Sequence, residues 1–178
     1  MIDTEQSIII EAPIGQVWSF AKDINAWARL MPGFQDCDIA DGDHSRWTLK
    51  VGVGALIRTV KIAVHVGRWA GPEEADFTFA LEGDPVQGRG GYRAVSLGPG
   101  QTRISLAVQV EGTGPMAPMW EAMGRPLLPK FARGFAEQFK DEVEQLGGGA
   151  ADASPESFWI RFMACPRRLF RRNASATG

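Results

Sequence analysis

The chain has 178 residues, 44% of them hydrophobic and 22% charged, enough apolar material for one sizeable core and an appendage. Its formal net charge of −2 argues against a nucleic-acid binder, because phosphate contact needs a basic face. The charge is uneven: residues 151–178 carry five arginines and two acids, a local +3 that leaves residues 1–150 at −5.

In chain order, Thr4 to Ala12 reads as a strand centred on Ile8, Ile9 and Ile10, broken at Ala12-Pro13. Ile14 to Lys22 is a short helix with Ile14, Val17, Trp18 and Ala21 on one side. Asp23 or Asn25 caps a second short helix carrying Trp27, Leu30 and Met31, and Pro32-Gly33 stops it. Strand candidates follow at Phe34–Ala40, Ser45–Val53, Ala55–Val66, Ala75–Leu81, Gly91–Leu97 and Thr102–Val110. Alternation is clear in the second (Trp47, Leu49, Val51, Val53), the third (Leu56, Val60, Ile62, Val64, Val66) and the last (Ile104, Leu106, Val108, Val110). It is weak in Phe34–Ala40 and Gly91–Leu97. Gly- and Pro-rich turns separate them, so the pattern predicts an antiparallel meander with one packed face and one solvated face.

From Gly112 the period changes. Met116, Met119, Trp120 and Met123 fall at helical spacing, with Pro126 and Pro129 as interruptions. Phe131, Phe135, Phe139, Val143 and Leu146 then mark one face of a helix over Lys130–Leu146, roughly 25 Å long. Gly147-Gly148-Gly149 ends it. The expected organisation is a ligand-binding domain over 1–146, a flexible linker over 147–155 and a tail over 156–173. A curved sheet cannot bury its concave face on one helix without leaving space between them, and such a space suits a small apolar ligand.

In the tail, Phe158, Trp159, Phe162, Met163, Leu169 and Phe170 alternate with Arg161, Arg167, Arg168, Arg171 and Arg172. At about 100° per residue the apolar set and the arginines point in roughly opposite directions. That is the composition of an interfacial helix on an anionic membrane. Pro166 divides it into two short pieces. The alternative is a tail that packs on its own domain or on a partner protein.

Catalytic groups are scarce. His44 and His65 are the only histidines, one beside a turn and one on the polar face of its strand, so both read as surface residues. Glu137, Asp141 and Glu144 read as a solvated helix face. Cys37 and Cys165 have no metal-ligand or redox spacing, and no phosphate-binding glycine loop opens a helix. Met1 to Glu11 carries acids and no apolar stretch of signal-peptide length, and no run reaches a membrane span. The expectation is a cytoplasmic chain without a transmembrane helix or a metal.

Three stretches carry a family resemblance: APIGQVWSFAKDINAWARLMPGFQDCDI, WTLKVGVGALIRTVKIAVHV and GRGGYRAVSLGPGQTRISLAVQVEGTG. Across about residues 1–146 the chain resembles the CoxG-like family, associated with carbon monoxide dehydrogenase, of the START-like, or Bet v 1-like, superfamily. Gly54 departs from a variant of the strand turn that has proline nearby. The resemblance implies an α+β helix-grip fold, a curved antiparallel sheet wrapped around a long C-terminal helix, with the basic amphipathic tail appended. It also implies a non-catalytic link between a molybdenum hydroxylase-type oxidoreductase and the inner face of the cytoplasmic membrane. A quinone or lipid is the implied ligand, with no covalent cofactor.

On that geometry Met116, Met119, Trp120, Met123, Leu127, Phe131, Phe77 and Phe79 are expected to line the cavity. Trp27, Leu30 and Met31 are expected to cover its opening. Tyr92, the only tyrosine, and Arg58, on the apolar parity of its strand, are the candidate polar contacts to a quinone-like oxygen. A polyketide cyclase-like enzyme or a pure assembly factor on the same fold are the competing readings. The cyclase needs polar groups converging inside the pocket.

Overall fold

The computed structural model describes residues 1–53 and 56–147. The linker beyond Gly147 and the whole arginine-rich tail lie outside the described residues, as do Gly54 and Ala55. The elements run β1 (Ile2–Ile10), α1 (Ile14–Ala21), α2 (Ile24–Arg29), β2 (Phe34–Ile39), β3 (His44–Val53), β4 (Leu56–Ala70), β5 (Glu74–Leu81), β6 (Val86–Gly98), β7 (Gln101–Gly112), α3 (Ala117–Gly124) and α4 (Leu128–Gly147). The strands form a seven-stranded antiparallel sheet in the order β1-β7-β6-β5-β4-β3-β2. Each neighbour in β2 to β7 is the next strand in sequence, and β1 closes against β7. This is the curved sheet and C-terminal helix expected of a helix grip.

Local chemistry explains the element boundaries. The Asp23 carboxylate accepts from the Asn25 and Ala26 amides at 3.0 and 3.1 Å, so Asp23 is the cap of α2. Pro126 falls between α3 and α4, whereas Pro129 is the second residue of α4, where a missing N–H costs no helical bond. β4 extends four residues past the expected Val66, to Ala70, by way of a bulge between Val66 and Arg68.

β6 begins at Val86, earlier than alternation suggests, because Gly88 and Gly90 leave no side chain to read. The glycines are there for the neighbouring strand. A Cβ at Gly88 would run into the ring of Phe79, and one at Gly90 into the ring of Phe77. Gly90→Ala is therefore expected to force Phe77 aside and lower stability by about 1–3 kcal/mol, read as a shift in the urea midpoint. An unchanged midpoint would mean that Phe77 is not held where the register places it.

The inner face of the sheet grades from sealed to open. Ile10 with Thr102, and Ile104 with Ala94, lie at one end of the registered rows and are all buried. Leu106, Tyr92 and Ala75 form the next row and are buried too. Val108, Gly90 and Phe77, then Val110, Gly88 and Phe79, are only half-buried. α4 repeats the gradient: Val143, Phe139 and Ala136 are buried, while Phe135 and Phe131 are half-exposed.

Hydrogen bonds account for the sealed end. Lys140 Nζ donates to the Ile9 carbonyl at 2.9 Å, and Gln16 Nε2 to the Val143 carbonyl at 2.8 Å. The Glu11 amide donates to Glu144 Oε1 at 2.7 Å, and Thr102 Oγ1 to the Ala12 carbonyl at 2.8 Å. The C-terminal half of α4 is thus tied to β1 and α1.

Candidate ligand-binding site

The candidate site is the contact region between the inner face of the sheet and α4, at the boundary between its buried and half-buried rows. Aromatic rings build it. Trp27 of α2 stands edge-on to Phe77 at 5.5 Å and to Phe135 at 6.1 Å. Tyr92 sits 5.9 Å from Trp18 and 6.3 Å from Phe139, and Phe139 meets Phe20 edge-on at 5.0 Å. Phe77 lies 6.5 Å from Phe79, so the aromatic surface continues into the half-exposed rows.

Two polar atoms interrupt this apolar surface. Tyr92 Oη and Trp27 Nε1 are buried and have no hydrogen-bond partner among the described residues. Burial pushes the Tyr92 hydroxyl well above the ordinary phenol range. A buried donor without an acceptor costs about 1–3 kcal/mol. Tyr92 Oη and Trp27 Nε1 are thus two unsatisfied donors sealed within the aromatic core.

The single tyrosine allows a direct check. Because its pKa is raised on folding, the neutral hydroxyl contributes fully below the unfolded pKa near 10, and that contribution is lost as pH climbs above it. Absorbance at 295 nm should show no tyrosinate in the folded protein at pH about 10.5, and stability should fall by at most about 1.4 kcal/mol per pH unit above 10 from this group. Half-ionised tyrosine in the folded state near pH 10 would contradict the burial.

Placement of the other expected residues divides them. Phe77, Phe79, Leu127 and Phe131 are half-buried, with Phe77 and Phe79 on the inner face. Trp27 and Leu30 are buried and Met31 packs against the core, so α2 is part of the wall more than a detachable cover.

The methionine stripe is a correction. Met116, Met119 and Met123 are 49%, 43% and 38% exposed. The inward side of α3 is Ala117, Trp120 and Gly124 instead. A Cβ at Gly112 would come within 2.7 Å of Ala117 Cα, and one at Gly124 within 2.8 Å of Ile2 Cδ1. At Ala117 and Gly124, α3 approaches β7 and β1 so closely that only small residues fit, and the methionines are turned out. Trp120 is half-buried.

Arg58 is the second correction. It has the inner parity but lies near the end of the sheet, exposed, where it pairs with Asp84 at 2.8 Å. Trp18, Phe135 and Phe139 join the site without having been singled out by sequence reasoning. The phenylalanines are visible as one stripe with Phe131, and the stripe alone does not say which turn of α4 meets Tyr92.

His44 and His65 are exposed and stack on each other at 4.3 Å, paired across β3 and β4 on the outer face. They help line a trough of about 770 Å³ with Arg46, Ala63, Thr78 and Arg89. Their parity is opposite to that of Trp47, Val64 and Phe79, so the two imidazoles face away from Tyr92, while the trough's lining also takes in Val64, Phe79, Gly88 and Val110. Asp41 accepts from the Asp43 amide and from His44, which holds its carboxyl down at about 2. Among the described residues no group of three His, Cys, Asp or Glu side chains can hold a metal, and no helix is long and apolar enough to cross a membrane.

A seven-stranded antiparallel sheet gripping one long helix over an aromatic inner face defines a START-like, helix-grip protein. The chain belongs to the polyketide cyclase / dehydrase and lipid transport family, whose sequence model matches residues 1–144. Solved structures agree on the fold. A conserved protein from Geobacillus kaustophilus superposes with a TM-score of 0.70 at 17% identity, over 81% of this chain and 96% of that one. A START superfamily protein from Mycobacterium smegmatis gives 0.61 at 18% identity, over 81% and 98% of the two chains. The Zhui aromatase/cyclase from a Streptomyces species gives 0.61 at 17%, over 85% and 99%. No curated protein sequence matches the chain.

Proposed function

We propose that this protein is a non-catalytic carrier of a neutral, apolar, carbonyl-bearing molecule, a quinone or lipid, held between α4 and the inner face of the sheet. The observation that carries this reading is the pair of buried donors, Tyr92 Oη and Trp27 Nε1, left unpaired within an aromatic surface. A carbonyl oxygen satisfies such a donor and adds no charge to a low-dielectric site. The half-exposed rows of β5 to β7 give the ligand an entrance.

The wider role follows the family resemblance. The carrier serves a molybdenum hydroxylase-type oxidoreductase at the cytoplasmic face of the membrane, with the arginine-rich tail as its attachment. A cyclase reading draws support from the Zhui aromatase/cyclase among the structural relatives. Acid–base chemistry needs a positioned partner for Tyr92. Both histidines are on the opposite face, and Arg58 is occupied by Asp84, which favours the carrier. Titration of a short-chain quinone against tryptophan fluorescence tests the reading, since Trp27 and Trp18 flank the site. Saturable quenching is expected. A linear, non-saturating response would remove quinones as ligands, and turnover of a polyketide mimic would replace the carrier with the cyclase.

A further inference from the structure

α3 and the start of α4 form a surface that neither the candidate site nor the tail explains. Met116, Met119 and Met123 lie at i, i+3 and i+7 and are all exposed. An exposed apolar stripe of this kind marks a contact surface. Beside it in the chain stand Arg125, Lys130 and Arg133, all exposed, and none forms an ion pair with a described residue. Glu121, one turn before Arg125, is taken up by the Met1 ammonium. Between Pro115 and Gly134 there is no other acid.

The charge on α4 runs against its own helix. Lys130 is its third residue and Arg133 its sixth, near the positive end of the macrodipole, while Asp141, Glu142 and Glu144 crowd the negative end. No acid stands in the first turn and no base in the last. Of these, Lys130 and Glu144 stand in the first and last turns, where such a placement costs a surface helix a few tenths of a kcal/mol. The helix dipole therefore does not explain Lys130, and only Glu121 before Arg125 and Glu137 after Arg133 stand at helical spacing from the other two cations.

We infer that Met116, Met119, Met123, Arg125, Lys130 and Arg133 form a docking surface for an anionic phospholipid bilayer. Methionine side chains enter the acyl boundary and the three cations meet the headgroups, the division of labour of an interfacial segment. The surface sits beside the half-buried end of the inner face: Gly124 packs on Ile2, whose register row contains Val110, Gly88 and Phe79. Docking there turns the entrance toward the bilayer. The docking surface depends on neither the ligand's identity nor the tail.

Hydrogen–deuterium exchange of the full chain tests it. Vesicles of phosphatidylglycerol and phosphatidylcholine should slow exchange over residues 115–134, and vesicles of phosphatidylcholine alone should not. With the tail intact, Lys130→Gln/Arg133→Gln should weaken sedimentation with the anionic vesicles by roughly tenfold or more, at about fivefold for each cation removed. Met119→Ser/Met123→Ser should weaken it as well. These positions are exposed, so the variants should keep the wild-type melting temperature. Protection confined to 156–178 with both variants sedimenting as wild type would overturn the inference. So would protection of 115–134 that follows protein concentration without vesicles, because that marks a second copy of the chain as the occupant.

Discussion

Phe139→Ala is expected to lower stability by about 3–5 kcal/mol. Phe139 is fully buried, and its ring meets Phe20, Tyr92 and Phe135. It lies on the half of α4 that hydrogen bonds tie to β1 and α1, so the backbone cannot settle into the space that alanine leaves. The cost is therefore the lost transfer energy plus an uncollapsed cavity. Against a total stability of roughly 5–15 kcal/mol, that loss leaves the variant marginal or unfolded at 37 °C. Met119→Ala is the control on an exposed helix face, with an expected change within about 0.5 kcal/mol. Urea unfolding of the two side by side checks both. Similar losses would mean that α3, and not the grip of α4, carries the core.

Tyr92→Phe is expected to move stability and binding in opposite directions. The ring is retained, so the packing against Trp18 and Phe139 survives. The ligand-free protein loses a hydroxyl that is buried without a partner, so its stability should hold or rise by about 1 kcal/mol. A carbonyl-bearing ligand loses its donor, and its affinity should fall by roughly fivefold to 100-fold. Trp27→Phe should also weaken binding, but with a loss of stability, because the smaller ring leaves space beside Phe77 and Phe135. Denaturation without ligand and quinone titration with it separate the two effects. A Tyr92→Phe variant that is destabilised yet binds normally would mean that the hydroxyl is satisfied inside the protein.

Much of the fold is legible in the sequence because period-2 alternation survives burial on one face. Trp47 and Leu49 of β3, Val64 and Val66 of β4, and Ile104 and Leu106 of β7 alternate with exposed or half-buried neighbours. Asp23 marks the start of α2. The early part of β6 is not legible, since Gly88 and Gly90 make room for the rings of β5 and leave no pattern of their own. The site is legible in part. Tyr92 stands out as the only tyrosine, and the structure leaves it buried and unpaired.

The methionines of α3 show where periodicity stops. It tells that Met116, Met119 and Met123 share a face, and it does not tell which way the face turns. Orientation is decided by Gly112, Ala117 and Gly124, whose small size lets α3 approach the sheet. Arg58 makes the same point for a strand: parity gives the side of the sheet, while distance from the core decides whether a charge is buried or finds Asp84.

The central claim is that the grip holds a carbonyl-bearing apolar molecule. Native mass spectrometry of the intact full chain, followed by organic extraction and identification of what is released, tests it most directly. The expected result is a mass excess of one small neutral molecule per chain, carrying at least one carbonyl oxygen, that is reduced in Tyr92→Phe. An apoprotein mass alone, together with no saturable binding of added quinone or lipid, would contradict it.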